Sequence, residues 1–165
     1  MTEPSKHELD APPWLRVEST LMSLARGIRR AYDLRLEGLG MNLSEASTLA
    51  FTQESGPLMQ AELAKHMGVG RAAMGSCIDS LEGRGFVERR PKPGDRRVWL
   101  VATTPLGNDM AKQVGKIDET FRAELREGVS RKERRELTQL LNRLADNVST
   151  IVASTTQEKG STQNN

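Results

Sequence analysis

Residues 60–104, QAELAKHMGVGRAAMGSCIDSLEGRGFVERRPKPGDRRVWLVATT, admit few folds. A helical run over about 61–67 stops at Gly68, a residue able to take the positive φ with which helices end at little cost. A second run over 71–84 places Met74, Ile78 and Leu81 at i, i+4 and i+7 and closes at Gly85. Two helices joined by so tight a glycine-containing turn make a helix-turn-helix. Strand-like runs at 86–90 and 97–102 follow, parted by Pro91-Lys92-Pro93-Gly94-Asp95, so a hairpin, or wing, comes directly after the second helix.

Charge gives this unit a chemistry. Residues 84–97 hold six basic side chains (Arg84, Arg89, Arg90, Lys92, Arg96, Arg97) against two acidic ones (Glu88, Asp95), a local +4 in a chain whose total is +2. Positive charge focused on one hairpin suits phosphate binding, and the second helix of such a unit lies in the DNA major groove. The run Leu63-Ala64, Arg71, Leu81-Glu82, Arg84-Gly85-Phe86-Val87-Glu88-Arg89, then Asp95-Arg96-Arg97 and Val101 before Thr104 resembles, in register, the winged helix-turn-helix of the multiple-antibiotic-resistance regulator (MarR) family. The likeness in helix number and order extends over about residues 14–153.

The expected fold is mainly α (α+β): a winged helix-turn-helix over 43–103, with long N- and C-terminal dimerisation helices over 14–40 and 104–154. In the first, Leu21, Leu24 or Ala25, Ile28, Tyr32 and Leu36 recur at helical spacing, with Arg26, Arg29, Arg30 and Arg35 on the other side and Gly38 and Gly40 at its end. Ser44 is placed to cap the next helix, and Leu58-Met59 reads as a short strand beside the wing. Thr104-Pro105 starts a helix with Leu106, Met110, Val114, Ile117, Phe121 and Leu125 on one stripe, ending at Gly128. Ser130-Arg131-Lys132-Glu133 fits a capping box, and behind it Leu137, Leu140, Leu141, Leu144 and Val148 form a seam that wants a neighbouring helix.

With 36% hydrophobic and 4% aromatic residues, the core is thin for one compact monomer, so the seams imply a homodimer. Two-fold symmetry then implies an imperfectly palindromic double-stranded DNA operator, its half-sites roughly 10 base pairs apart or a multiple of that. Residues 1–13 read as a flexible arm and 155–165, rich in Gln, Ser, Thr and Asn, as a disordered tail. No secretion signal or membrane-spanning run is expected, and a single cysteine fits a cytoplasmic home.

Gly70 leaves amides free at the start of the recognition helix, and Arg71 is the one long donor in its first turn. Ala72, Ala73 and Ser76 permit close approach, with Ser80 a further contributor, so DNA shape carries part of the readout. Arg89, Arg90 and Lys92 are phosphate candidates. The resemblance implies that an arginine at Arg96-Arg97 enters the minor groove, with Asp95 fixing either the arginine or the turn. It also implies a small, often aromatic or phenolic effector, for which Trp14, Met22, Phe51, Met110 and Val114 are the candidate lining; each also reads as plain core.

Other readings compete. A winged-helix protein-interaction module without DNA binding would leave the recognition helix as small as this one. A redox-sensing regulator, or an enzyme, would use Cys77, but that residue lies beside Met74 and Ile78 on the inward side of its helix. No nucleophile-and-base motif or phosphate-binding glycine loop accompanies it. His7 and His66 with one cysteine match no metal spacing, so neither metal nor cofactor is expected.

Overall fold

The computed structural model describes Pro12 and residues 16–162. It forms two compact units, one ending at Phe121 and the other running from Arg122. Helix α1 (Val17–Leu36) passes into a 3-10 turn (Glu37–Leu39) that Gly40 ends at φ 63°. Helix α2 (Leu43–Ser55) follows, then α3 (Gln60–His66), α4 (Arg71–Gly83), β1 (Val87–Lys92), β2 (Asp95–Thr103), α5 (Pro105–Leu125) and α6 (Arg131–Thr162). Among the described residues no helix is long and apolar enough to cross a membrane.

The caps explain several boundaries. Asn42, rather than the expected Ser44, opens α2: its side chain accepts from the Glu45 amide at 3.0 Å while the Glu45 carboxylate accepts from the Asn42 amide at 3.1 Å. Ser44 is already inside the helix, and its hydroxyl instead accepts from Arg29 Nη2 at 2.9 Å. Thr104 caps α5, accepting from the Gly107 amide at 3.0 Å and donating to the Gly85 carbonyl at 2.6 Å. The Ser130–Glu133 box opens α6 as the sequence predicts, and its hydrogen bonds, side-chain first and backbone second, hold the Glu133 carboxyl below its ordinary range. α6 does not end near residue 154. The hydroxyls of Ser154, Thr155 and Thr156 donate back to the carbonyls of Ile151 and Val152, and the helix continues to Thr162, so 155–162 is helical rather than disordered.

The core of the first unit lies where α4 packs on α2, α3 and β1. Leu36, Leu49, Leu63, Met74, Ile78, Leu81 and Val87 are its most deeply buried apolar side chains. β1 and β2 pair antiparallel, Val87 opposite Thr103 through Pro91 opposite Trp99, and Leu58 adds the expected bridge to Val101 with two backbone hydrogen bonds. α5 leaves the wing at close range: a Cβ on Gly107 would overlap the Phe86 carbonyl oxygen and stand 2.8 Å from the carbon that bears it.

Not every expected seam is covered within the chain. Leu36 is buried and Tyr32 and Ile28 half-buried, but Met22 and Leu24 near the start of α1 are 61% and 50% exposed. On α5, Ala111, Val114 and Phe121 are buried while Leu106 and Leu125, at the two ends of the expected stripe, are exposed. The α6 seam (Leu137, Leu140, Leu141, Leu144, Val148) is exposed throughout.

Candidate nucleic-acid interface

The turn between α3 and α4 is built by Gly68 at φ 64°, after which Gly70 in extended conformation caps α4 with no side-chain bond. The amides of the first α4 turn therefore have no capping side chain, at the end of a helix where partial positive charge collects. Arg71, Ala72 and Ala73 are exposed there, and Gln60 Nε2 donates to the Arg71 carbonyl at 3.2 Å, tying α3 to α4. Ser76 is exposed too, its hydroxyl donating to the Ala72 carbonyl at 3.3 Å. Ser80 departs from its expected role. Its hydroxyl donates at 2.6 Å to Glu45, whose residue is 9% exposed, so it serves the packing of α4 on α2.

The wing divides its cations into two sets. Arg84 donates at 2.8 Å to both the Leu39 and Gly40 carbonyls, lies 3.9 Å from Glu45 and stands over the Phe86 ring. Arg89, expected to meet phosphate, turns inward instead: its guanidinium pairs with Glu82 and, at 2.6 Å, with Asp79, both on α4. Burial draws the Arg89 pKa down, and hydrogen bonds to Asp79 and Glu82 more than reverse this, leaving it raised. Arg90, Lys92, Arg96 and Arg97 form the second set, exposed and without an ion pair among the described residues.

The tip is tighter than the five-residue turn expected. Lys92 faces Asp95 across Pro93-Gly94, with Gly94 at φ 85°. The register breaks between Pro91 and Lys92, where the partner jumps from Trp99 to Asp95, and Arg96, Arg97 and Val98 have no opposite residue in the ladder. Such irregularities re-aim side chains at functional edges. Of the two roles open to Asp95, the structure shows the turn: its carboxylate accepts from the Arg97 amide at 3.1 Å.

The four described residues of the expected effector lining are not brought together. Trp14 lies outside the described residues, Met22 is 61% exposed, Phe51 stacks on His66 at 3.6 Å between centroids, and Met110 packs against the core. Of the four described, only Val114 lines a cavity of about 400 Å3, with Tyr32, Leu36, Leu43, Ile117 and Asp118; Tyr32 donates to Asp118 there at 2.7 Å. Cys77 is half-buried and donates to Thr48 Oγ1 at 3.5 Å, and burial pushes its thiol up. No group of three or more His, Cys, Asp or Glu among the described residues could hold a metal ion.

Sequence reasoning missed Glu45, Asp79, Glu82 and Gly107. The Asn42-x-x-Glu45 spacing carried a capping-box signal for the first; the others act through partners on different elements.

A tight α3-turn-α4 pair followed at once by a cationic hairpin defines a winged helix-turn-helix protein. Residues 41–99 match the MarR family. YdgJ of Bacillus subtilis, an uncharacterized HTH-type transcriptional regulator, is 29% identical over 137 residues, spanning 82% of this chain and 84% of that protein. A MarR family transcriptional regulator from Listeria monocytogenes, solved in complex with a 26mer DNA, superposes with a TM-score of 0.74 at 17% identity, covering 81% of this chain and 89% of that one. Bordetella bronchiseptica BpsR, whose DNA binding is regulated by 6-hydroxynicotinic acid, gives 0.75 at 18% identity, covering 82% and 97%. The chain is thus similar to the MarR family over residues 41–99, and it shares the fold of the regulators on which it superposes.

Proposed function

We propose that this chain is a sequence-specific regulator of transcription that binds double-stranded DNA as a homodimer, in the cytoplasm, and represses by occupying a promoter. One observation carries the reading: Arg84 and Arg89 are bound within the protein, whereas Arg90, Lys92, Arg96 and Arg97 stand exposed on the hairpin that follows α4. Four uncommitted cations on one hairpin form an electrostatic footprint for a polyanion. Gly70, Arg71, Ala72, Ala73 and Ser76 would face the major groove, Arg96 or Arg97 the minor groove, and Arg90 and Lys92 the flanking phosphates.

The exposed seams of α1, α5 and α6 support pairing through 14–40 and 104–154, leaving 43–103 to read an imperfect palindrome. A small aromatic or phenolic anion is the proposed effector, in keeping with the 6-hydroxynicotinic acid that regulates BpsR. It acts by favouring the spacing of the two α4 helices that mismatches DNA; equal affinity for both spacings would shift nothing.

Selection of bound fragments from the source genome, followed by titration of the recovered duplex against a random duplex over a salt series, tests the reading. Preferential binding whose logarithm falls steeply with the logarithm of salt is expected. Absence of duplex binding in dilute buffer would favour a protein-interaction module instead.

A further inference from the structure

The outer half of the wing carries an aromatic ring that the core does not use. Tyr32, Phe51, Phe86 and Phe121 are buried or half-buried, whereas Trp99 is 56% exposed. Its place on the hairpin is specific. Trp99 stands opposite Pro91, and Val101 opposite Arg89. Side chains alternate between the two faces of a strand, so Pro91 and Trp99 share the face of Arg89 and Val101. That face looks toward α4, because Arg89 on it reaches Asp79 and Glu82. Farther out, where the α4 carboxylates no longer reach, the same face continues as an apolar pair on the hairpin whose tip carries the exposed cations.

We propose that Trp99, backed by Pro91, is a DNA-backbone contact, its ring packed on a deoxyribose of the strand running between wing and α4 and its Nε1–H turned to a phosphate oxygen. The inference rests on the DNA-binding reading and adds a contact that charge does not supply. Complementarity selects the occupant. The surroundings are cationic, and an indole donates without accepting, so it suits an acceptor-only phosphate; its apolar body suits the sugar beside it. A hydrophobic partner protein would gain little from so small a patch on a hairpin that carries four exposed cations.

The test uses the full chain and two labelled duplexes, one recovered by genomic selection and one of random sequence. Trp99→Ala should weaken binding to the selected duplex about tenfold, or ~1.4 kcal/mol, at every salt concentration, with the slope of log affinity against log salt unchanged. Trp99→Phe should recover part of the loss, while Arg97→Ala should lower the slope by about one. In a Trp14→Phe background Trp99 is the sole tryptophan, and its emission should shift on adding duplex. Affinity of Trp99→Ala within twofold of the parent, or emission indifferent to saturating duplex, would overturn the proposal. Should the parent itself bind neither duplex, the DNA-binding reading fails first and takes this inference with it.

Discussion

Replacing Gly107 by alanine sets two opposed effects against each other. Gly107 lies in the first turn of a 21-residue helix, and in a helix interior alanine is favoured over glycine by about 1 kcal/mol. Helix preference alone therefore predicts a gain. The structure predicts a loss. The new Cβ would overlap the Phe86 carbonyl oxygen and stand 2.8 Å from its carbon and 3.2 Å from Phe86 Cα, all backbone atoms that no rotamer change can clear. Ordinary carbon–carbon contact needs about 3.5–4.0 Å, so the start of α5 would have to retreat by roughly 1 Å. That retreat strains the Thr104 links to Gly85 and Phe86. Overpacking costs about 1–3 kcal/mol and one weakened hydrogen bond about 1 kcal/mol. After the gain in helix preference, a net loss of about 1–3 kcal/mol remains. Urea unfolding followed by circular dichroism would read this as a lower midpoint at constant slope. Gly115→Ala is the control. Nothing lies within 4 Å of a Cβ there, so it should be neutral or stabilise by up to about 1 kcal/mol. A Gly107→Ala protein as stable as the parent would refute the claim that α5 is locked to the wing by backbone contact.

Three further outcomes are expected. Leu144→Asp places a carboxylate on the proposed seam, and burying it unpaired costs at least about 3 kcal/mol, so sedimentation should show dimer dissociation increased more than a hundredfold; an intact dimer at low concentration would move the interface elsewhere. Arg89→Ala leaves Asp79 and Glu82 facing the wing without their cation, which should cost about 1 kcal/mol in thermal unfolding, while Arg90→Ala should leave stability unchanged and weaken DNA binding. Burial raises the Cys77 thiol above its ordinary 9.0, so below that value both folded and unfolded chains keep the proton and nothing changes. Above it the unfolded chain loses the proton first, and stability falls with rising pH by at most about 1.4 kcal/mol per pH unit. Cys77→Ala should flatten this part of the pH profile, and reaction of the parent with a thiol reagent at pH 8 should be slow until urea unfolds it.

What proved legible in the sequence was whatever is decided within a few neighbouring residues. Gly68, Gly85 and Gly94 take the positive φ that their turns require, Ser130 and Glu133 close their box, and the Met74–Ile78–Leu81 seam is buried. Misreadings arose where a side chain answers to a distant element. Arg89 and Arg90 are neighbours of equal charge, yet the alternation of β1 aims the first at α4. Ser80 meets Glu45 across 35 positions, a pairing that no local pattern announces. The described effector candidates, Met22, Phe51, Met110 and Val114, share apolar character rather than a place. Ser44 lost the α2 cap to Asn42 because helix phase, set here by Glu45 three residues on, decides which of two neighbouring candidates is first.

The attachments of α4 are unevenly distributed. Ser80, Arg84 and the Asp79 and Glu82 carboxylates fasten its C-terminal half to α2, to the turn after α1 and to the wing, while among the described residues the first turn is held by the buried Met74 side chain and one hydrogen bond from Gln60. Such a rod is a lever with its fulcrum at the far end. Thirteen residues rising about 1.5 Å each give an arm of about 20 Å. A tilt of about 5° at the fastened end carries the reading tip through roughly 1.7 Å, more than half the length of a hydrogen bond, so a small strain among Glu45, Ser80 and Arg84 is magnified where Arg71 stands.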